Sequence, residues 1–265
     1  MLTFVGLGLY DERSITVEGR AAVRAADRVV AEFYTSRLAG TTVEELEAYH
    51  DIEIDVRDRA GVERDPGPIL DAAESEDVAF LTAGDAMIAT THVDLRLRAA
   101  DRGIDTRVIH GTSAVTAAAG LSGLQSYRFG KTTTLPFERA HGGEGVPDSV
   151  LATIAANRER GLHTLVLLDI KVDDPRGKPG DEPFMRAETA AEMLSEAGVE
   201  GPGVVIARAG SPNPIVAADR LDALAARSFG DPLHMLVLPG DLHHLEADAL
   251  ETLAGLPEGL GERHT

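Results

Sequence analysis

The sequence predicts two α/β domains, the first on a mainly parallel sheet with helices on both faces and the second on a mixed sheet. Three observations lead there. Up to about residue 120, short apolar runs alternate with segments of helical period, as in successive βα units. From about Leu121 the pattern changes to a Thr-rich stretch, charged loops and more scattered strands. A chain of 265 residues can hold two such units, and the boundary is expected at 122/123, giving 1–122 and 123–265.

In chain order, residues 2–5 read as a buried strand running into Gly6-Leu7-Gly8. Thr16 fits an N-cap for a helix to Ala26, whose Ala21, Ala22, Ala25 and Ala26 recur at helical spacing. A strand follows over 28–33. Thr42 and Glu45 form a capping-box pattern at the head of a helix ending near Tyr49. Strands are expected over 52–56, 77–82 and 107–110, with helices over 66–74, 90–102 and 114–119; Gly103 is a suitable C-cap. In the second half, strands are expected over 131–135, 163–170, 203–208, 214–218 and 234–238. Helices are expected over 148–158, 185–197, 221–226 and from His243 onward, with a frayed tail at 258–265. A His/Gly loop covers 138–147, and the Pro/Gly-rich, charged segment 171–183 has the character of a binding loop.

Composition narrows the function. There are 44 acidic residues against 25 basic, a formal charge of −19, and no cysteine. Without cysteine, disulfides, thiolate metal sites and cysteine nucleophiles are excluded. The charge disfavours nucleic acid, which needs a basic face. No apolar run approaches a membrane span. Asp11 and Glu12 directly follow the first apolar stretch and no basic region precedes it, so a signal peptide is not expected and the location is read as cytoplasmic. Three basic residues are lysine and the rest arginine. Together with the acidity, this suggests a salt-rich cytoplasm in which charge maintains solubility. A GC-rich genome would explain the arginines but not the −19.

Three loops at strand carboxyl ends could carry chemistry, the edge where open α/β sheets bind ligands. Gly6-Leu7-Gly8 half-matches a dinucleotide fingerprint but lacks the third glycine, and on this motif alone a tight turn accounts for it better. Asp85, in Thr82-Ala83-Gly84-Asp85, could accept from ribose hydroxyls or simply form an Asx-turn. Gly111-Thr112-Ser113-Ala114 permits close ligand approach or supplies an N-cap. The histidines show no metal-ligand spacing: His243, His244 and Glu246 read as solvated residues at a helix start, and His141 as part of a loop. Nucleophile-elbow and P-loop motifs are absent.

The stretch Val5-Gly6-Leu7-Gly8, Asp11, Ile15-Thr16 and Gly19, with Thr82-Ala83-Gly84-Asp85, resembles the tetrapyrrole-methylase type of S-adenosylmethionine-dependent methyltransferase. Segments 6–13, 31–36, 39–42, 77–82, 89–92, 163–165, 168–171, 207–211, 213–214 and 229–232, with His234, are similar to the archaeal diphthine synthase branch of that family. Ala83 and Ala86 replace the prolines that usually flank the Gly-Asp pair, and segments 138–147 and 171–183 follow the family less closely. The resemblance implies a homodimer with S-adenosyl-L-methionine in the cleft between the two domains, leaving S-adenosyl-L-homocysteine as product. It implies cofactor contacts from Leu9, Asp85, Ile88, Ser113, Ala114, Leu168, Ala209 and His234. The implied substrate is translation elongation factor 2, whose 2-(3-carboxy-3-aminopropyl)-L-histidine is trimethylated to diphthine on the way to diphthamide. A corrinoid or porphyrin-precursor methyltransferase of the same fold, or a non-catalytic nucleoside-binding module, are the alternatives.

Overall fold

The computed structural model describes residues 1–138, 145–171 and 184–261. Its contacts separate two units, one holding Met1–Ser113 and the other Ala114–Asp169 and Phe184–Thr265.

In the first unit, β1 (Leu2–Gly6), β2 (Arg28–Glu32), β3 (Ile54–Arg57), β4 (Val78–Thr82) and β5 (Thr106–Ile109) form a sheet in the order β3-β2-β4-β1-β5. Every neighbouring pair is parallel. Successive side chains alternate between faces, and both faces are apolar. Leu2, Phe4, Val30, Val78 and Phe80 enter one core, while Val5, Val29, Ala31, Ala79 and Leu81 enter the other. Phe4 and Phe80 meet edge to face with ring centroids 5.7 Å apart. The helices are α1 (Val17–Ala25), α2 (Val43–His50), α3 (Gly67–Ala73) and α4 (Val93–Asp101). Thr16 caps α1 by accepting from the Gly19 N–H, and Thr42 and Glu45 complete the capping box of α2. α4 starts three residues later than the expected Thr90, because Ala89 is left-handed at φ 57° and His92 bonds back to the Ala86 carbonyl. A π-helical turn at Ala60–Arg64, not expected from the sequence, follows β3.

In the second unit, α5 (Ala114–Ser122) leads to β6 (Thr133–Leu135), α6 (Asp148–Glu159), β7 (Thr164–Leu168) and α7 (Ala187–Glu196). Next come β8 (Pro202–Ala207), β9 (Ile215–Arg220), α8 (Leu221–Ala225), β10 (His234–Leu238) and α9 (His244–Ala254). The sheet runs β6-β7-β10-β8-β9 and is mixed: β6 and β7 are parallel, and the other pairs antiparallel. The expected boundary at 122/123 differs from the observed division by one helix. The small side chains of α5 let it lie on the second sheet, where Ala118 packs with Leu165, Val204 and Ile206.

One expectation is overturned here. Glu246 is not solvated but fully buried. It accepts from the backbone N–H groups of Gln125 (2.9 Å) and His243 (2.9 Å) and from His163 Nε2 (3.0 Å), and pairs with Arg128 at 3.1 Å. A polar residue on the first turn of a helix faces inward when the helix start packs on other donors, as here.

Candidate functional site

The carboxyl edge of the first sheet brings three glycine loops together. The Gly8 N–H donates to the Gly84 carbonyl at 3.0 Å and the Gly84 N–H to the Gly8 carbonyl at 2.7 Å, so the loops after β1 and β4 form a two-bond bridge. A Cβ on Gly6 would stand 2.6 Å from both Gly111 N and Gly84 O, which rules out any side chain at this crossing. Gly84, at φ +77°, is different: the nearest atom to a Cβ there would be Ser113 Cα at 3.9 Å. The crossing is therefore closed at Gly6, whereas a Cβ at Gly84 would meet Ser113 only at ordinary van der Waals distance.

Asp85 fastens these loops. Its Oδ1 accepts from the Met87 N–H at 2.9 Å, which is the Asx-turn considered from the sequence. Its Oδ2 accepts from Gly111 N at 3.2 Å and from His110 Nδ1 at 2.8 Å, with the side chain only 5% exposed. A carboxylate has about four acceptor sites, so three bonds leave capacity for one further donor. His110, which sequence reasoning missed, holds Asp85 from an exposed position at the end of β5.

The other residues named from the sequence are placed as follows. Leu9 is half-buried, and its carbonyl accepts from the Ser14 hydroxyl and from Asp11 N at 3.1 Å. Ile88 is exposed, an apolar side chain in the open on the loop that carries Asp85. Ser113 is buried at the end of the third loop, and Ala114 is the first residue of α5. The remaining three belong to the second unit. Leu168 ends β7 and Ala209 follows β8, both half-buried. His234 is buried, and the chain itself occupies both its nitrogens: Nδ1 accepts from Ala187 N at 3.1 Å and Nε2 donates to the Asp231 carbonyl at 3.0 Å. Burial lowers its pKa, so it is a neutral structural imidazole that fixes the start of α7. A ligand can meet only its ring carbons or backbone.

A second polar group at the same edge was not singled out from the sequence. Glu32 ends β2 in register with Thr82 and is fully buried. Its Oε2 accepts from Tyr34 N and Thr35 N, each at 3.1 Å, and Oε1 from the Thr35 hydroxyl. Burial pushes its pKa up to about 7 against the lowering by these donors. His92 is 1% exposed with Nε2 3.4 Å from Glu32 Oε1. The one available signal is a lone acid inside the apolar run Val29-Val30-Ala31-Glu32-Phe33. His141 and most of segment 171–183 lie outside the described residues. Among the described residues there is no cluster of three or more His, Asp or Glu able to hold a metal ion, and no helix is long and apolar enough to cross a membrane.

Residues 1–225 match the family described as Tetrapyrrole (Corrin/Porphyrin) Methylases. The chain is 72% identical over 260 residues to a diphthine synthase of Natronomonas pharaonis, covering 97% of each chain. It is 49% identical to a diphthine synthase of Methanocella arvoryzae, covering 98% of this chain and all of that one. A crystal structure of diphthine synthase superposes with a TM-score of 0.87 at 38% identity, covering 98% of both chains.

Proposed function

This chain belongs to the tetrapyrrole methylase family, on its diphthine synthase branch, and from that premise we propose that it methylates the modified histidine of translation elongation factor 2, using S-adenosyl-L-methionine. The observation that carries the reading is 72% identity along nearly the whole length of a haloarchaeal diphthine synthase. The edge of the first sheet fits the cofactor. Gly84 and Ser113 are small residues at this edge, Leu9 and Ile88 supply apolar side chains on the flanking loops, and Asp85 retains acceptor capacity. Leu168, Ala209 and His234 stand as further cofactor contacts on the family resemblance, as does Ala114 at the start of α5. The protein is proposed to act as a cytoplasmic homodimer, with neither nucleic acid nor membrane as partner.

When bound, the cofactor supplies an electrophilic methyl on sulfonium to the amine of the 3-carboxy-3-aminopropyl group. The protein's task is alignment, since holding nucleophile and methyl in line supplies most of the rate. The Gly8–Gly84 bridge and the Asp85 bonds provide a fixed backbone for this. The amine is neutral when it attacks and sheds a proton after each of the first two transfers, and the third leaves a trimethylammonium with none to lose.

The test incubates the protein, in molar salt, with methyl-labelled cofactor and elongation factor 2 carrying the unmethylated precursor. Label in the factor, reaching three methyls by mass spectrometry, is the expected result. Label in an offered tetrapyrrole precursor instead would overturn the substrate, and cofactor binding without any transfer would mark a non-catalytic module.

A further inference from the structure

Loop 83–92, which carries Asp85 and Ile88, is held at its far end by His92. His92 Nδ1 lies 2.9 Å from the Ala86 carbonyl oxygen. A carbonyl oxygen only accepts, so Nδ1 carries a proton. The other nitrogen, Nε2, lies 3.4 Å from Glu32 Oε1, within ion-pair range, and makes no hydrogen bond. Both side chains are buried, and the ring of Phe80 packs edge-on to His92 with centroids 5.0 Å apart. An unprotonated ring nitrogen this near a carboxylate oxygen in a buried place is repelled by it, and a proton on either partner removes the repulsion, as carboxylic acid beside imidazole or carboxylate beside imidazolium. We propose that Glu32 and His92 share one buried proton, and that this pair is the positioning element holding the Asp85 loop for the cofactor.

The path is short. Glu32 is anchored to β2 by the N–H groups of Tyr34 and Thr35. His92 transmits that anchor to Ala86, the residue next to Asp85, and Thr90 Oγ1 bonds the same carbonyl at 3.1 Å. The charged and titratable groups acting on the pair are Arg59 toward Glu32 and Glu63 toward His92, both from around the π-helical turn, with Tyr34 beside Glu32. Arg59 favours loss of the shared proton and Glu63 favours its retention. The pair titrates as a unit. When the proton leaves, carboxylate faces bare imidazole nitrogen and the hold on Ala86 weakens, so cofactor affinity falls as pH rises above neutrality. This consequence rests on the cofactor reading above, whereas the shared proton itself does not.

The experiment uses the full-length protein with isotope-labelled histidine, in molar potassium chloride, between about pH 6 and 9. The ring-nitrogen signals of His92 are assigned by their loss in His92→Gln. Protonation at Nδ1 throughout, with an Nε2 signal that moves with pH in the wild type but not in Glu32→Gln, is the expected result. The amide of Glu32→Gln donates permanently to Nε2. Calorimetry with S-adenosyl-L-homocysteine should then show a dissociation constant that rises with pH in the wild type and stays flat in Glu32→Gln. His92→Gln should weaken binding roughly tenfold, the scale of one hydrogen bond to the loop. A His92 protonated only at Nε2 overturns the proposal, as do identical pH profiles in wild type and Glu32→Gln. Should Glu32→Gln fail to fold by circular dichroism, the wild-type His92 tautomer and the His92→Gln affinity decide. If the nitrogen signals behave as stated but no binding occurs at any pH, the shared proton stands, and both its role toward the cofactor and the cofactor reading fail.

Discussion

Asp85 has a structural role in the fold and, in the proposed function, a second one toward the cofactor. It holds Met87, His110 and Gly111 and still has room for a ligand donor. Asp85→Ala is therefore expected to weaken cofactor binding by about 1–3 kcal/mol, measured by calorimetry, through unpaired buried donors and a loosened loop. Unchanged affinity would remove Asp85 from the site. His50, His163 and His234 are all buried, and burial lowers each pKa from the ordinary value. The unfolded chain then binds more protons than the folded one over the window below about 6.5. The stability these neutral rings allow is complete above that value and is lost as pH falls through it toward the folded-state values. Glu32, raised to about 7, acts in the opposite sense, favouring the folded state less as pH rises from its ordinary range. Denaturant midpoints across pH should therefore fall on the acid side beginning near 6.5, and Glu32→Gln should flatten the slope near neutrality.

At the level of elements, α9, β7 and the segment after α5 meet on one buried carboxylate, Glu246. Burial alone would raise its pKa, but the bonds from His243, Gln125 and His163 outweigh this and lower it. Its contribution is therefore present above the ordinary carboxylate pKa and lost as pH falls through its lower folded value. Glu246→Ala should cost about 3 kcal/mol at neutral pH, measured by chemical denaturation, because the donors of Gln125, His243 and His163 lose their acceptor and Arg128 loses its ion pair. Gly6→Ala should cost about 1–3 kcal/mol, since the new methyl meets backbone from two loops that cannot move aside. The elements were legible in the sequence because both sheets bury two faces and their helices carry caps such as Thr16 and the Thr42–Glu45 box. The loops after β1, β4 and β5 were legible as a site because their glycines sit at strand ends. What was not legible depends on pairing across distance. Glu32 meets His92 and Glu246 meets His163 through the tertiary fold, and no local period announces either pair. The Asx-turn of Asp85 was visible only as an alternative, and the bond from Ala187 N to His234 depends on a donor from a distant segment.

Over the whole molecule, the −19 charge is a property of the solvent interface. The cores are apolar, and exposed ion pairs such as Arg28–Glu76, Arg98–Asp94 and Arg102–Asp71 engage only part of the acidic surplus. The unpaired carboxylates repel one another with little screening in dilute buffer, where the Debye length is about 30 Å at 0.01 M, and much more at about 1 M, where it is about 3 Å. Thermal midpoints should rise as potassium chloride goes from about 0.1 M to molar levels, and a flat or falling curve would contradict this. The strand order also bears on how the molecule comes to exist in time. β1 leaves the ribosome well before both its neighbours, which begin at Val78 and Thr106. Until those segments emerge, Gly6 and Gly8 have nothing to cross. A nascent chain can form α1 and α2 long before the loop crossing is complete, so in a refolding experiment binding of the proposed cofactor should lag the helical signal.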